Sequence, residues 1–126
     1  MALKFFKCRI CGNVITKLVD SSVPVVCCGE NMTELVPNTS DGAGEKHLPV
    51  ISINGNVVDV AVSTIQHPSV PEHFIQFIVL ETSNGFQVKT LKAGETPKAS
   101  FVIDKDEKVI AAYEYCNLHG LWKYEI

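Results

Sequence analysis

The chain has 126 residues, 46% of them apolar, and a net charge of −3 with Arg9 as its single arginine. That is enough for one ordinary domain, or a small domain beside a tiny one, and the acidic balance argues against a nucleic-acid partner, which asks for a basic face. No apolar run approaches the ~18 residues of a membrane span, and Met1 to Lys7 is too short and too charged for a signal peptide, so a soluble, cytoplasmic protein with no membrane partner is expected.

Residues 1–36 read as a small unit. Lys7-Cys8-Arg9-Ile10-Cys11-Gly12-Asn13 is a CxxC knuckle with a glycine behind it. Val14 to Val19 and Val23 to Val26 look like strands, and Cys27-Cys28-Gly29-Glu30 follows. A unit this small buries too little surface to fold unaided and normally needs a metal or disulfides. Four thiolates, from Cys8, Cys11, Cys27 and Cys28, around one tetrahedral ion meet that need. In a reducing compartment this reading is preferred to two disulfides or a Cys27–Cys28 bridge. Neighbouring side chains usually diverge, so the doubled cysteine predicts a bent backbone and a distorted tetrahedron. Zinc and iron both accept four cysteines, and the spacing does not separate them.

Pro37 to Gly44 is polar, carries glycines and reads as a linker. From Glu45-Lys46-His47-Leu48-Pro49 onward the pattern is strands. Val50 to Ile53 runs into an Asn54-Gly55 turn, Val57 to Ile65 is rich in β-branched residues, and Phe74 to Glu81 is a nearly continuous apolar run. Ser83-Asn84-Gly85 is a hairpin signal before the alternating segment Phe86 to Thr90. Ala99 to Ile103 and Lys108 to Tyr115 flank the charged turn Asp104 to Glu107, and Leu121 to Glu125 closes the series. No helical period extends over ten residues. Seven or so short strands predict an all-β chain whose larger part, residues 45–126, is an immunoglobulin-like antiparallel sandwich.

Five cysteines and four histidines are present. With four thiols used before residue 29, Cys116, His47, His67, His73 and His119 remain. His67 and His73 bracket a loop stiffened by Pro68 and Pro71, each with its φ fixed. Cys116 and His119 share the turn Cys116-Asn117-Leu118-His119-Gly120, where the N–H groups of Asn117, Leu118 and His119 are placed to point at the sulfur. A lone histidine in such a loop is more often a solvated residue, and it is two in a rigid loop, with others available, that bring a shared site level with that reading. Loops cluster at the ends of a sandwich, however, so the three places can meet. Five protein ligands are too many for tetrahedral zinc and suit iron with one position open.

Cys8-x-x-Cys11, Cys27-Cys28, Glu45-Lys46-His47-x-Pro49, His67-Pro68, His73 and Cys116-Asn117-x-His119-Gly120 together resemble the desulfoferrodoxin family, the two-iron superoxide reductases. The resemblance runs from the first knuckle to Trp122-Lys123, and its one noticed departure is Phe74, where the family carries Trp. It implies a desulforedoxin-like domain over residues 1–36 with iron on four cysteines, a linker over 37–44, and a catalytic sandwich over 45–126. In that sandwich it implies iron with His47, His67, His73 and His119 around the equator and Cys116 axial. It further implies one-electron reduction of superoxide to hydrogen peroxide, Lys46 attracting the anion, and Glu45 as the carboxylate that meets the ferric resting iron. The four-cysteine iron would store or relay an electron from a donor such as rubredoxin or another reductase, and the chain would form a homodimer. A structural zinc protein accounts for the first cluster but not the five-ligand set. A pure electron carrier does not account for an open position beside Lys46.

Overall fold

The computed structural model describes residues 3–39, 47–62 and 67–126. The chain divides into two compact units, Met1–Val36 and Pro37–Ile126. Among the described residues the regular structure is twelve strands, and no helix is long and apolar enough to cross a membrane.

In the first unit, β1 (Phe5–Lys7) lies between β2 (Val14–Thr16) and β5 (Thr33–Leu35), antiparallel to both. A two-residue ladder joins β3 (Val26–Cys27) to β4 (Glu30–Asn31). The expected strands are shorter here than the sequence implied. Val14 stays extended only to Thr16, because Lys17 Nζ turns back to Asp20 Oδ1 at 3.1 Å and to the Val23 carbonyl at 2.8 Å, making a loop of what reads as a β-branched run. Leu18 and Val19 are left exposed, and among the described residues of the unit Phe5 and Cys8 are the buried apolar ones.

The second unit is a sandwich of two antiparallel sheets. One holds β10 (Lys98–Val102), β7 (Val57–Val62) and β6 (Pro49–Asn54) in that order; the other holds β12 (Gly120–Glu125), β11 (Val109–Cys116), β8 (Ile75–Thr82) and β9 (Gly85–Thr90). Alternation does the sorting in the three-stranded sheet. Val58, Val60 and Val62 of β7 are buried while Val57 and Asp59 are exposed, and Ala99 and Phe101 of β10 face Val60 and Val58. These side chains pack against Ile78, Leu80, Ala112 and Cys116 from the facing sheet to form one core. Burying apolar area at about 25 cal/mol per Å² drives this closure. The Asn54-Gly55 and Asn84-Gly85 turns join β6 to β7 and β8 to β9, as their sequences imply, with φ of 62° at Gly55 and 138° at Gly85.

Residues 37–39, part of the stretch read as a linker, group with the sandwich. Asn38 donates its main-chain N–H to the Leu121 carbonyl at 3.0 Å, and its side chain both accepts from Lys123 N at 2.9 Å and donates to Lys123 O at 3.0 Å. These bonds cover part of the edge of β12, the outermost strand of its sheet. The His67-bearing connection runs between β7 and β8, and the Cys116–His119 turn runs between β11 and β12, so both fall at one end of the sandwich, where His47 enters β6.

Candidate metal centres

In the first unit Cys8, Cys11, Cys27 and Cys28 place their sulfurs within 4.8 Å of one another. No disulfide joins any of the cysteines. The Cys11 and Cys27 sulfurs are 3.6 Å apart. Four sulfurs about 2.3 Å from one ion at tetrahedral corners stand about 3.8 Å apart, so the spacing fits a shared ion and is far too long for a bond. The backbone builds the cluster. Gly12 N donates to the Cys8 carbonyl at 2.9 Å and Cys8 N to the Asn13 carbonyl at 2.9 Å, closing the knuckle, while Cys11 N approaches the Cys8 sulfur at 3.5 Å. The bend expected at the doubled cysteine is present: Cys28 has φ of 53°, a left-handed conformation rare for a side-chain-bearing residue, and Gly29 follows at 77°. That reversal turns the Cys28 side chain to the same side as Cys27.

The electrostatics call for a cation. The N–H groups of Cys11 and Ile10 draw the Cys8 thiol down to about 6 against the effect of burial, whereas hydrogen bonding to Cys11 and Cys8 pushes Cys28 up to about 12 and raises Cys27 as well. The cluster thus favours the thiolate at Cys8 and resists it at Cys27 and Cys28, an imbalance that a bound ion's positive charge offsets.

The second cluster gathers His47, His67, His73, Cys116 and His119, again with one donor atom from each within 4.8 Å of all the others. His47, His67 and Cys116 are buried and the other two half-buried. The four imidazoles form a closed ring. Centroids are 4.7 Å apart for His47–His67, 4.7 Å for His67–His73, 4.9 Å for His73–His119 and 4.8 Å for His119–His47, with neighbouring planes inclined at 64–79°. His47 Nε2 and His119 Nδ1 are 2.9 Å apart. Two donors about 2.1 Å from one ion at a right angle stand about 3.0 Å apart, against about 3.4 Å for a tetrahedral pair. A hydrogen bond alone would account for one such pair, but not for four rings closing on a common centre. Cys116 Sγ lies 3.9 Å from His119 Nδ1 and supplies the fifth donor. The donor set is mixed nitrogen and sulfur, larger than zinc normally takes, and suited to a six-coordinate transition ion with one position not filled by the described residues.

Each ligand is held by something local. His67 Nδ1 donates to the Pro68 carbonyl at 2.7 Å, which leaves Nε2 as the donor to a metal. His47 stacks on Trp122, with centroids 5.1 Å apart and planes at 12°, and Trp122 Nε1 donates to the His119 carbonyl at 3.1 Å. The Cys116–Gly120 pair closes a three-residue turn, with Gly120 at φ of 80°, and a register shift between Tyr115 and Cys116 brings Ile75 opposite the thiol. Burial pushes the Cys116 thiol above its usual range, the N–H groups of His119 and Leu118 pull it back, and the Glu114 carboxylate raises it further. Of the three N–H groups expected to point at the sulfur, the Leu118 and His119 ones act on its charge in this way. Asn117 N instead donates to the Phe74 carbonyl at 3.3 Å.

Glu45 and Lys46, expected beside this centre, lie outside the described residues. Glu114 is a residue that sequence reasoning passed over. It is fully buried, with Oε1 3.8 Å from His47 Nδ1, and desolvation pushes its carboxyl up to about 9. The signal was there: Ala112, Glu114 and Cys116 alternate on β11, so a strand that buries Cys116 buries Glu114 on the same face. Its register partners, Ile78 and Trp122, face the same way.

An all-sulfur centre in a small unit and a four-imidazole, one-thiolate centre at the end of a β-sandwich define a non-haem metalloprotein with two separate centres. A family model described as desulfoferrodoxin matches residues 39–125, and one described as desulfoferrodoxin, N-terminal domain, matches residues 2–35. The chain belongs to the desulfoferrodoxin family. It is 43% identical over 122 residues to the desulfoferrodoxin of Nitratidesulfovibrio vulgaris, covering 97% of this chain and 95% of that one. It is 38% identical over 123 residues to that of Desulfarculus baarsii, covering 98% and 96%. Among solved structures, the superoxide reductase from Treponema pallidum superposes with a TM-score of 0.84 at 34% identity, covering 99% of this chain and 100% of that one. The one-iron superoxide reductase from Giardia intestinalis matches 65% of this chain and 97% of its own, with a TM-score of 0.57 at 34% identity.

Proposed function

We propose that this chain reduces superoxide to hydrogen peroxide by one electron at an iron held by His47, His67, His73, His119 and Cys116, with a second iron on Cys8, Cys11, Cys27 and Cys28 storing or relaying the electron. The observation that carries the reading is the closed ring of four imidazoles with a buried thiol beside it. The structural neighbours over the whole chain and over the sandwich alone are superoxide reductases. When bound, iron at the five-donor site supplies the one electron that, with two protons, takes superoxide to hydrogen peroxide.

The chain's own residues prepare the site for that chemistry. The Pro68 carbonyl fixes the His67 tautomer, and Trp122 fixes the plane of His47. The Leu118 and His119 N–H groups temper the charge on the Cys116 sulfur and so tune how strongly it donates to the metal. In this reading Lys46, adjacent to His47 in sequence, draws the anion in and stabilises charge on its oxygens. Glu45 provides the carboxylate that meets the oxidised resting centre. Residues 1–36 are the relay unit, 45–126 the catalytic sandwich, and 37–44 their connection. The electron arrives from a small redox protein such as rubredoxin or another reductase, and the protein works as a cytoplasmic homodimer.

The test is stoichiometry. Iron-loaded, prereduced protein mixed anaerobically with a limiting pulse of superoxide should yield one hydrogen peroxide per superoxide and no dioxygen. Dioxygen evolved in equal amount to peroxide would mean dismutation and would overturn the assignment.

A further inference from the structure

We propose that Asn117 is a positioning residue that locks the Cys116–His119 turn onto the backbone on both sides of His73, so that the thiol ligand and this imidazole ligand are held as one unit. The proposal rests on the five-donor set being the iron site proposed above.

The contacts are specific. Asn117 Oδ1 accepts the Phe74 N–H at 2.9 Å, Asn117 Nδ2 donates to the Glu72 carbonyl at 3.0 Å, and the Asn117 main-chain N–H donates to the Phe74 carbonyl at 3.3 Å. Glu72 precedes His73 and Phe74 follows it. His73 itself exchanges two main-chain bonds with Val70, N–H to carbonyl at 2.9 Å and carbonyl to N–H at 3.1 Å. One asparagine and one tight turn thus tie down every main-chain polar group from the Glu72 carbonyl to the Phe74 carbonyl. The next residue back from Asn117 is Cys116, so the anchor sits one peptide from the sulfur.

The chemistry of the side chain fits this task and few others. The Phe74 N–H can only donate and the Glu72 carbonyl can only accept, which fixes the amide's orientation and demands one acceptor and one donor on a short stem. Aspartate offers acceptors alone and alanine offers neither. The Asn117 N–H is taken by the Phe74 carbonyl and its side chain by Phe74 N and Glu72 O, so Asn117 acts on where the ligands stand rather than on the charge of the sulfur. Without the side chain, the β11–β12 turn keeps only the main-chain bond from Asn117 N to the Phe74 carbonyl and loses both bonds that reach across His73, to the Phe74 N–H and to the Glu72 carbonyl. A metal needing both loops then dissociates by releasing one of them first. Outer residues that orient ligands in this way typically set metal affinity by about 10- to 100-fold.

The experiment uses the full chain loaded with iron at both centres. Asn117→Ala, Asn117→Asp and wild type are challenged with excess chelator, and the visible absorption of the ferric five-donor centre is followed, with the four-cysteine centre as the internal control. Asn117→Ala should release the five-donor iron about 10- to 100-fold faster, with a shifted sulfur-to-iron band and normal behaviour of the four-cysteine iron. Asn117→Asp keeps the acceptor, loses the donor and should fall between; it carries the test should the alanine variant not fold. Because the clamp works through His73, Asn117→Ala should add little to His73→Ala but its full effect to His67→Ala. Release within twofold of wild type and an unshifted band, even with a lowered melting temperature, would reduce Asn117 to a structural contact and overturn the proposal. Additivity with His73→Ala would do the same. Wild-type protein that never binds iron at the five donors would sink the functional reading instead. The same release assay with cobalt(II), whose colour also reports thiolate ligation, then decides the clamp alone.

Discussion

Trp122 offers the sharpest separation between holding the fold and holding a ligand. It is 5% exposed, it stacks on His47, and its indole N–H bonds the His119 carbonyl. Trp122→Phe keeps an aromatic face for the stack. It loses one hydrogen bond, worth about 1 kcal/mol, and leaves a gap of a few tens of Å³, which at about 24 cal/mol per Å³ costs roughly another 1 kcal/mol. Trp122→Ala loses the whole ring, at about 3–5 kcal/mol. Urea unfolding of the metal-free proteins should therefore place the phenylalanine variant about 2 kcal/mol below wild type and the alanine variant at about twice that loss or a little more. Metal retention should split more widely. The phenylalanine variant should hold the five-donor iron nearly as wild type does, because His47 keeps its wall, while the alanine variant should release it about tenfold faster or more. Two results would refute the reasoning. Equal unfolding losses for both variants would mean that the bond to His119, not the stack, carries the energy. Wild-type metal release from the alanine variant would mean that His47 needs no wall.

The two centres should separate by substitution: Cys11→Ser should disturb the visible spectrum of the four-sulfur centre yet leave superoxide reduction largely intact with an artificial electron donor, whereas Cys116→Ser should abolish it, and equal losses with the five-donor iron still loaded would refute the division of labour. Glu107 is held below the usual carboxylate range by the Thr82 hydroxyl and the Asp104 N–H. Its contribution is thus present above the unfolded pKa of 4.5 and is lost as pH falls through the lower folded value. Glu107→Gln should flatten the acid limb of the stability–pH curve, and parallel curves for wild type and variant would show that the turn does not need the charge. Lys46→Ala should slow the reaction of the reduced protein with superoxide by about tenfold. Over a salt series the wild-type rate should fall more steeply than the variant's, because the Debye length is about 10 Å at 0.1 M; equal rates at low salt would leave Lys46 a solvated side chain.

What was legible in the sequence was whatever depends on residue type. Thiols and imidazoles are scarce, and ten of the charged groups in the sandwich half are acidic against seven lysines, so nine Cys and His residues stand out by their chemistry alone. Spacing identified the four-cysteine cluster, the count of leftover Cys and His with the family resemblance pointed to the other, and the period of two in Val57 to Val62 marks the inner face of β7. Less legible were segments whose state is set by a few hydrogen bonds. Phe5–Lys7 and Thr33–Leu35 are three-residue strands, too short for any period to show. Val23 to Val26 has the composition of a strand, but only Val26–Cys27 pairs, since the unit is organised by its cysteine knuckles and the Lys17–Val23 loop. Phe74 to Glu81 reads as a buried strand and is observed as Ile75–Thr82; the His73–Phe74 backbone is bound to Val70 and Asn117 instead.

The residues packed around the ligands were the hardest to read, and for one physical reason. Glu114 and Asn117 are common residue types in common places, and neither offers a donor atom to the five-ligand set. What gives each its part is register: Glu114 faces Ile78 and Trp122 because Cys116 must face inward two residues later, and Asn117 meets Glu72 and Phe74 because the shift between Tyr115 and Cys116 draws the β11–β12 turn against the start of β8. Ligand identity is local chemistry and survives in a bare sequence. Ligand orientation is a property of strand pairing, and a pairing shifted by one residue would carry Glu114 from the inner face of β11 to the outer one while leaving every cysteine and histidine in place in the chain.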